Sequence, residues 1–216
     1  MAGLTNDDFL ALMPTSFVKS RPIMAQHRQA RTVNTTQIKK ALRTANTLRH
    51  PDRNAAMLLL SFKAGLRAGE IAKIEWSMLL DANNKLGTSI NLPGRITKNA
   101  HPRRVPIHPD LRKALQKLTK GRGDLSGPVI MSERGRAMSA KSVVNWFKHI
   151  YTLAGLEGCS SHSGRRTFVT QAARLVHKAG GSLRDVQLLA GHRSITTTQA
   201  YIDGDSDAQR KLVRMI

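Results

Sequence analysis

A mainly helical α+β fold with one small antiparallel sheet is what this chain predicts. Three observations carry that reading. Apolar residues recur at helical spacing through most of the long segments. The strand-like stretches are short and gather between residues 78 and 107, divided by Asp81-Ala82-Asn83-Asn84 and Thr97-Lys98-Asn99-Ala100. With 216 residues, 40% of them hydrophobic, the chain can bury a real core, so it is not a disordered basic tail.

Taken in order, residues 1–33 have little apolar periodicity but carry Lys19, Arg21, Arg28 and Arg31. They read either as a basic arm on DNA phosphates or as a disordered terminus. Asn34 and Gln37 have the spacing of a capping box. Ile38, Ala41, Leu42, Ala45 and Leu48 then form an apolar face, with Lys39, Lys40 and Arg43 largely opposite. His50-Pro51-Asp52 breaks this helix and starts a second, which runs to Ala64, with Gly65 as its C-cap. Arg67 lies between that helix and the next, among Leu66, Ile71 and Ile74. An arginine near a core needs an anion or a carboxylate. Two readings stand: a local Arg67–Glu70 ion pair, or a Glu70 that orients Arg67 towards a phosphate.

Residues 78–80, 88–92 and 103–107 read as strands. They give a basic hairpin with Lys98 at its tip and Arg103 and Arg104 on the returning strand. A tip lysine either reaches into a neighbouring site or is simply solvated. A helix follows from Pro109-Asp110, and Ser139 caps another whose buried stripe is Val143, Val144, Phe147, Ile150, Tyr151 and Ala154. Lys141 lies outside that stripe. Ser160 or Ser161 caps the next helix, with Phe168, Val169, Ala172, Ala173 and Val176 as its apolar residues. His162 and Arg165 share one face of its first turn, where free backbone N–H groups and the positive dipole end make an anion site. Ser182 and Asp185 cap a helix ended by Gly191. His192 follows at the turn, and Ser194 caps a last short helix that brings Tyr201 near its end. Residues 208–216 read as a docking tail.

The chain carries 35 Lys and Arg against 14 Asp and Glu, a formal charge of +21. Such an excess on a folded domain is self-repelling unless a polyanion meets it. A merely sticky basic protein of ribosomal type is the plain alternative. Aromatic residues make up only 4%, against the stacking platforms of single-strand binders, so duplex DNA is the expected partner. No signal layout opens the chain and no apolar run reaches the ~20 residues that span a bilayer, so no membrane partner is expected. The one cysteine, Cys159, excludes an internal disulfide. A Cys159–His162 hydrolase lacks a third orienting group, and zinc lacks further ligands at workable spacing. A buried, inert thiol is the better reading.

Metal-free strand transfer on DNA needs arginines to neutralise the phosphate, a nucleophile that keeps the bond energy in a covalent ester, and an acid for the leaving oxygen. Arg67, Arg165, Lys98, His162, His192 and Tyr201 supply these parts. The carboxylate cluster of a metal-dependent nuclease is not visible, so no cofactor and no metal are expected.

These residues also carry a resemblance. Ala64-Gly65-Leu66-Arg67-Ala68-Gly69-Glu70, Lys98 on a hairpin, His162-Ser163-Gly164-Arg165, and Leu189-Ala190-Gly191-His192 with a tyrosine nine residues later resemble the tyrosine recombinase (phage integrase) family over residues 34–205. The resemblance implies the DNA breaking-rejoining catalytic fold. It implies that Arg67 and Arg165 clamp the scissile phosphate, with Glu70 in support. His162 would act as acid/base and phosphate ligand, and His192 would bond a phosphate oxygen. Lys98 would protonate the leaving oxygen, and Tyr201 would form the 3′-phosphotyrosine. Lys39, Lys40, Arg43, Arg103, Arg104, Lys141, Arg166 and Arg193 are the expected DNA-binding residues. Four protomers would pair two duplexes and pass through a Holliday junction, with accessory DNA-binding factors as further partners. The protein would act in the bacterial cytoplasm at the nucleoid, or be encoded by a phage or mobile element.

The chain departs from the pattern twice. Gly164 stands where the family usually has leucine, and glycine loosens a helix by about 1 kcal/mol. Only the short stretch 1–33 precedes the catalytic region, which implies a short form without the usual core-binding domain. Two other classes fit the same residues: a non-catalytic DNA-binding protein on this scaffold, and a type IB topoisomerase-like enzyme.

Overall fold

One helix, α2 (Pro51–Ala64), is the hub of the computed structural model, which describes residues 30–98, 100–120, 124–201 and 213–216. Pro51 sits in its first turn, where a missing N–H is harmless. From Ala56 to Phe62 every residue is buried. Each buried leucine contributes about 1.5–3 kcal/mol, so this segment is anchored on all sides. It packs against α1 (Thr35–Asn46), α4 (Pro109–Thr119) and α6 (Ser163–Leu175), while α3 (Ala68–Lys73) packs on α5 (Ala140–Leu153). The helix ends at Gly65 in the left-handed region, φ 64°, where a side chain would also collide with the Phe168 ring. Asn34 and Gln37 form the expected capping box at α1, with bonds of 2.9 and 3.0 Å.

Gly164 does more than loosen a helix. A Cβ there would overlap the Ser61 side chain of α2, so the glycine lets α6 lie directly against the hub. The start of α6 also differs from expectation. Ser163 Oγ accepts from the Ser160 N–H at 3.0 Å, which makes a turn ahead of the helix. His162 is therefore the residue before the first turn, rather than part of it. At the far end the α-helix stops at Leu175, and Val176–Ala179 continue as a 3-10 turn.

The sheet has two strands, β1 (Ser89–Leu92) and β2 (Arg103–Pro106), paired antiparallel with Ile90 opposite Val105 and Leu92 opposite Arg103. Those four residues are buried, so one face of the ribbon points inward and Arg103 points with it. The expected strand at residues 78–80 is absent. Trp76–Met78 form a 3-10 turn, and Leu80 makes one isolated bridge to Leu86. Trp76 and Leu79 are both fully buried, a three-residue spacing that suits this turn and not a strand. In α5, Val144 is 41% exposed rather than part of the buried stripe. The helical turn that carries Val143, Phe147 and Ile150 inward rotates Val144 away.

A smaller apolar cluster sits beside the main core. Val169, Ala173 and Val176 meet Val186 and Ala190 of α7 (Leu183–Ala190), and Phe168 and Tyr201 pack against them. Ser194 caps α8 (Ile195–Gln199), which leads to Tyr201. Val33 is buried and its N–H donates to Thr167 Oγ1 of α6 at 2.9 Å, while Arg31 N–H donates to Gly158 O in the loop before that helix. The rest of the basic arm, residues 1–29, and residues 208–212 of the tail lie outside the described residues, while residues 213–216 are exposed. No helix among the described residues is long and apolar enough to cross a membrane.

Candidate active site

Glu70 is the ionic centre of the site. It is 1% exposed and accepts four hydrogen bonds. The Arg67 backbone N–H and Nη1 donate to it at 2.8 and 3.1 Å, and Arg103 grips both oxygens at 2.8 and 2.7 Å. Burial would raise the Glu70 pKa, but the bonds and charge of Arg103, then of Arg67, outweigh it and hold the carboxyl below its ordinary value. The local Arg67–Glu70 ion pair is thus present, with Arg103 as a second partner of the same carboxylate.

Arg103 is a correction. It was expected on the DNA surface, but the pleat that buries Val105 buries it too, and its guanidinium is spent on Glu70. The signal was present in the sequence, since Arg103 and Val105 are two residues apart on one strand.

Arg165, 4% exposed, has no carboxylate among its hydrogen-bond partners in the described residues. Nη1 donates to Gly65 O at 2.7 Å and Nη2 to Ala190 O at 2.6 Å. Those carbonyls lie at the C-terminal ends of α2 and α7, where the helix dipoles are negative and carbonyls lack intrahelical donors. Two helix ends thus replace a counter-ion. Burial, then the charges of Arg67 and Arg103, lower its pKa to about 9, so it stays cationic at neutral pH.

His192 is 8% exposed and directly follows the Gly191 C-cap of α7. Gln187, buried in α7, donates to His192 O at 3.0 Å and fixes the turn. The imidazole Nδ1 lies 3.0 Å from Thr198 Oγ1 of α8. Its ring stacks on that of Tyr201, centroids 5.5 Å apart and planes at 22°. The Arg166 guanidinium stands 5.5 Å from the other ring centre, that of Tyr201. Burial, then the charges of Arg165, Arg67 and Arg103, drive the His192 pKa from 6.5 down to about 4. NMR titration of labelled histidines is therefore expected to show His192 neutral through the physiological range, with its midpoint near pH 4. The unfolded chain would take up that proton first. The associated stability is full above about pH 6.5 and is lost as the pH falls towards about 4. A midpoint at or above 6.5 would contradict this electrostatic account.

These side chains meet in one cavity of about 500 Å³. Arg67, Lys98, His162, Arg165, His192 and Tyr201 all line it, from five separate segments, and among the described residues no carboxylate does. Lys98, on the hairpin connection, contributes to the cavity lining and is itself exposed. His162 is exposed at the mouth, its Nδ1 3.5 Å from Ser161 Oγ. Of the expected DNA-contacting residues, Lys39, Lys40, Arg43, Arg104, Lys141 and Arg193 are exposed, and Arg166 is half-buried in the cavity wall. Thr198 and Gln187 escaped the sequence reading, because neither forms a motif with the histidine it serves. Cys159 is half-buried rather than fully buried, and burial pushes its thiol pKa up despite a Ser163 hydrogen bond and the Arg31 charge. Among the described residues, no group of three or more His, Cys, Asp or Glu side chains is placed to hold a metal ion.

Comparison with known proteins bears on the family and the fold. Tyrosine recombinase XerC of Pelobacter propionicus is 28% identical over 152 residues, covering 69% of this chain and 47% of that protein. XerC of Brucella suis is 30% identical over 158 residues, with 71% and 47% covered. The chain thus spans about half the length of these curated relatives. Among solved structures, XerA recombinase superposes with a TM-score of 0.64 at 21% identity, covering 91% of this chain and 66% of that one. The Tn1549 transposon integrase, solved with transposon right end DNA, gives 0.64 at 17%, covering 86% and 65%. At those identities the likeness is one of fold. The family model described as the phage integrase family matches residues 31–207, so most of the chain, with every residue of the cavity just described save Ala30, falls within that match and belongs to the phage integrase family of tyrosine recombinases.

Proposed function

We propose that this chain cuts and rejoins duplex DNA at specific sites through a covalent 3′-phosphotyrosine. The observation that carries the reading is the one cavity that gathers six side chains suited to the reaction. A phosphodiester placed there meets Arg67, held by Glu70, and Arg165, held by two backbone carbonyls. The Tyr201 oxygen attacks phosphorus and the bond to the 5′ oxygen breaks. His162 takes up the phenolic proton, and Lys98 gives one to the leaving oxygen. His192, neutral, bonds a non-bridging oxygen. Reversal with a 5′ hydroxyl from another strand rejoins the DNA.

Lys39, Lys40, Arg43, Arg104, Lys141, Arg166 and Arg193 supply the sequence-independent grip on the phosphates. The same reading assigns four protomers to two DNA duplexes, accessory DNA-binding factors, and a tail at residues 208–216 that docks on a neighbouring protomer.

The test is a trapped adduct. The protein is incubated with sheared source DNA, quenched in SDS and digested, and mass spectrometry then seeks a nucleotide on Tyr201. The expected result is an adduct on Tyr201 that is missing from Tyr201→Phe. DNA binding with no adduct on any residue would overturn the catalytic reading and leave a binding scaffold.

A further inference from the structure

We infer that Thr198 is a positioning residue that fixes His192 in the tautomer with its proton on Nε2. The inference rests on the proposed reading of the cavity as the phosphodiester site. Thr196, Thr197 and Thr198 follow one another on α8, but their side chains part company. Thr197 lines the cavity, whereas Thr198 is 0% exposed and turned onto the imidazole.

A threonine hydroxyl has one proton to donate, and a buried donor left without an acceptor is destabilising. Among the described residues, the hydrogen bond that the Thr198 hydroxyl makes is the one to His192 Nδ1, at 3.0 Å. The hydroxyl therefore donates and Nδ1 accepts. An accepting Nδ1 carries no proton. His192 is also neutral, because burial and three nearby arginines disfavour an imidazolium. Its one proton is then on Nε2.

The consequence has a sign. With a proton on Nε2, His192 offers the cavity an N–H donor, which a phosphate oxygen accepts and which strengthens as charge grows on that oxygen. The other tautomer would set a lone pair against the same oxygen. Thr198 also lies three residues before Tyr201, so one hydrogen bond ties the helix that leads to the tyrosine to the histidine. Stacking of the two rings at 5.5 Å keeps them in register.

The test joins spectroscopy to kinetics on the full chain. NMR of labelled histidines, with His192 assigned by its loss in His192→Gln, reads the tautomer in the free protein. Single-turnover cleavage uses DNA recovered with Tyr201. The wild type is expected to show the Nε2-protonated form, and Thr198→Val a tautomer mixture. Thr198→Val should cleave about 10–100-fold more slowly with unchanged DNA affinity, by analogy with the loss of a partner that orients a metal-binding histidine. Thr198→Ser, which keeps the hydroxyl, should restore both readouts. Exposed Thr196→Val should alter neither. Nδ1 protonation in the wild type, or wild-type cleavage by Thr198→Val, overturns the inference. If Thr198→Val does not fold, the wild-type tautomer and the Thr198→Ser rate decide it. Failure of the catalytic reading is separately visible, since the wild type would then form no Tyr201 adduct and the spectrum would still report the tautomer.

Discussion

Glu70→Ala is expected to destabilise the fold by about 3–5 kcal/mol, the range for removing one partner of a buried ion pair. A urea unfolding curve measures it. The size follows from what is left behind. The Arg103 side chain is 4% exposed and both its terminal nitrogens lie on Glu70, so the variant strands a buried cation. Two donors of Arg67 lose their acceptor as well. Glu70→Gln keeps one oxygen acceptor and should fall between the two. The paired change Glu70→Leu with Arg103→Met removes both charges and should recover most of the stability, because an apolar pair of similar volume needs no counter-charge. It should not recover strand cleavage, since Arg67 would still lack the carboxylate that orients it. The pH dependence has a definite sign. The Glu70 pKa is lowered in the fold, so its contribution is present above the unfolded value and is lost as the pH falls through the folded one. Wild type and the double variant should therefore converge in stability on acidification. A Glu70→Ala protein within 1 kcal/mol of wild type would show that water reaches Arg103.

The helices were legible because their signals are local. Asn34 with Gln37, Ser182 with Asp185, and the left-handed Gly65 and Gly191 are each read within a few residues and stand as caps in the structure. The grouping of the six cavity residues was legible through their order and spacing, as a resemblance and not as geometry. What failed to show needed pairing information. Alternation with Val105 places Arg103 on the buried face, but its partner Glu70 is 33 residues away on α3, and charge alone points the arginine outward. Trp76 and Leu79 share an apolar pattern with strands, and only packing chose the 3-10 turn. Gly164 looked like a flaw in isolation because its reason, Ser61, is a hundred residues away in sequence but touches it in space. Thr198 carries no signal at all until His192 is seen above it.

Arg165→Lys is expected to lower the rate of Tyr201 adduct formation by about 10²–10³, the loss seen when one preorganised donor to a transition-state charge is removed. Lysine keeps the positive charge, so DNA affinity and its salt dependence should change little. The difference lies in the fork. Arg165 reaches Gly65 O and Ala190 O at once and still faces the cavity, because a planar guanidinium has five N–H donors. An ammonium is a point charge with three donors on a flexible stem. If it satisfies the two carbonyls, it offers less to the phosphate. If it turns to the phosphate, a buried carbonyl at a helix end is left without a donor, which costs about 1–3 kcal/mol. Either outcome separates binding from chemistry, and adduct rate measured at saturating protein against affinity measured by titration resolves them. A variant that cleaves at the wild-type rate would mean that Arg165 contributes charge alone, and that the two helix ends hold it for stability rather than for the geometry of the reaction.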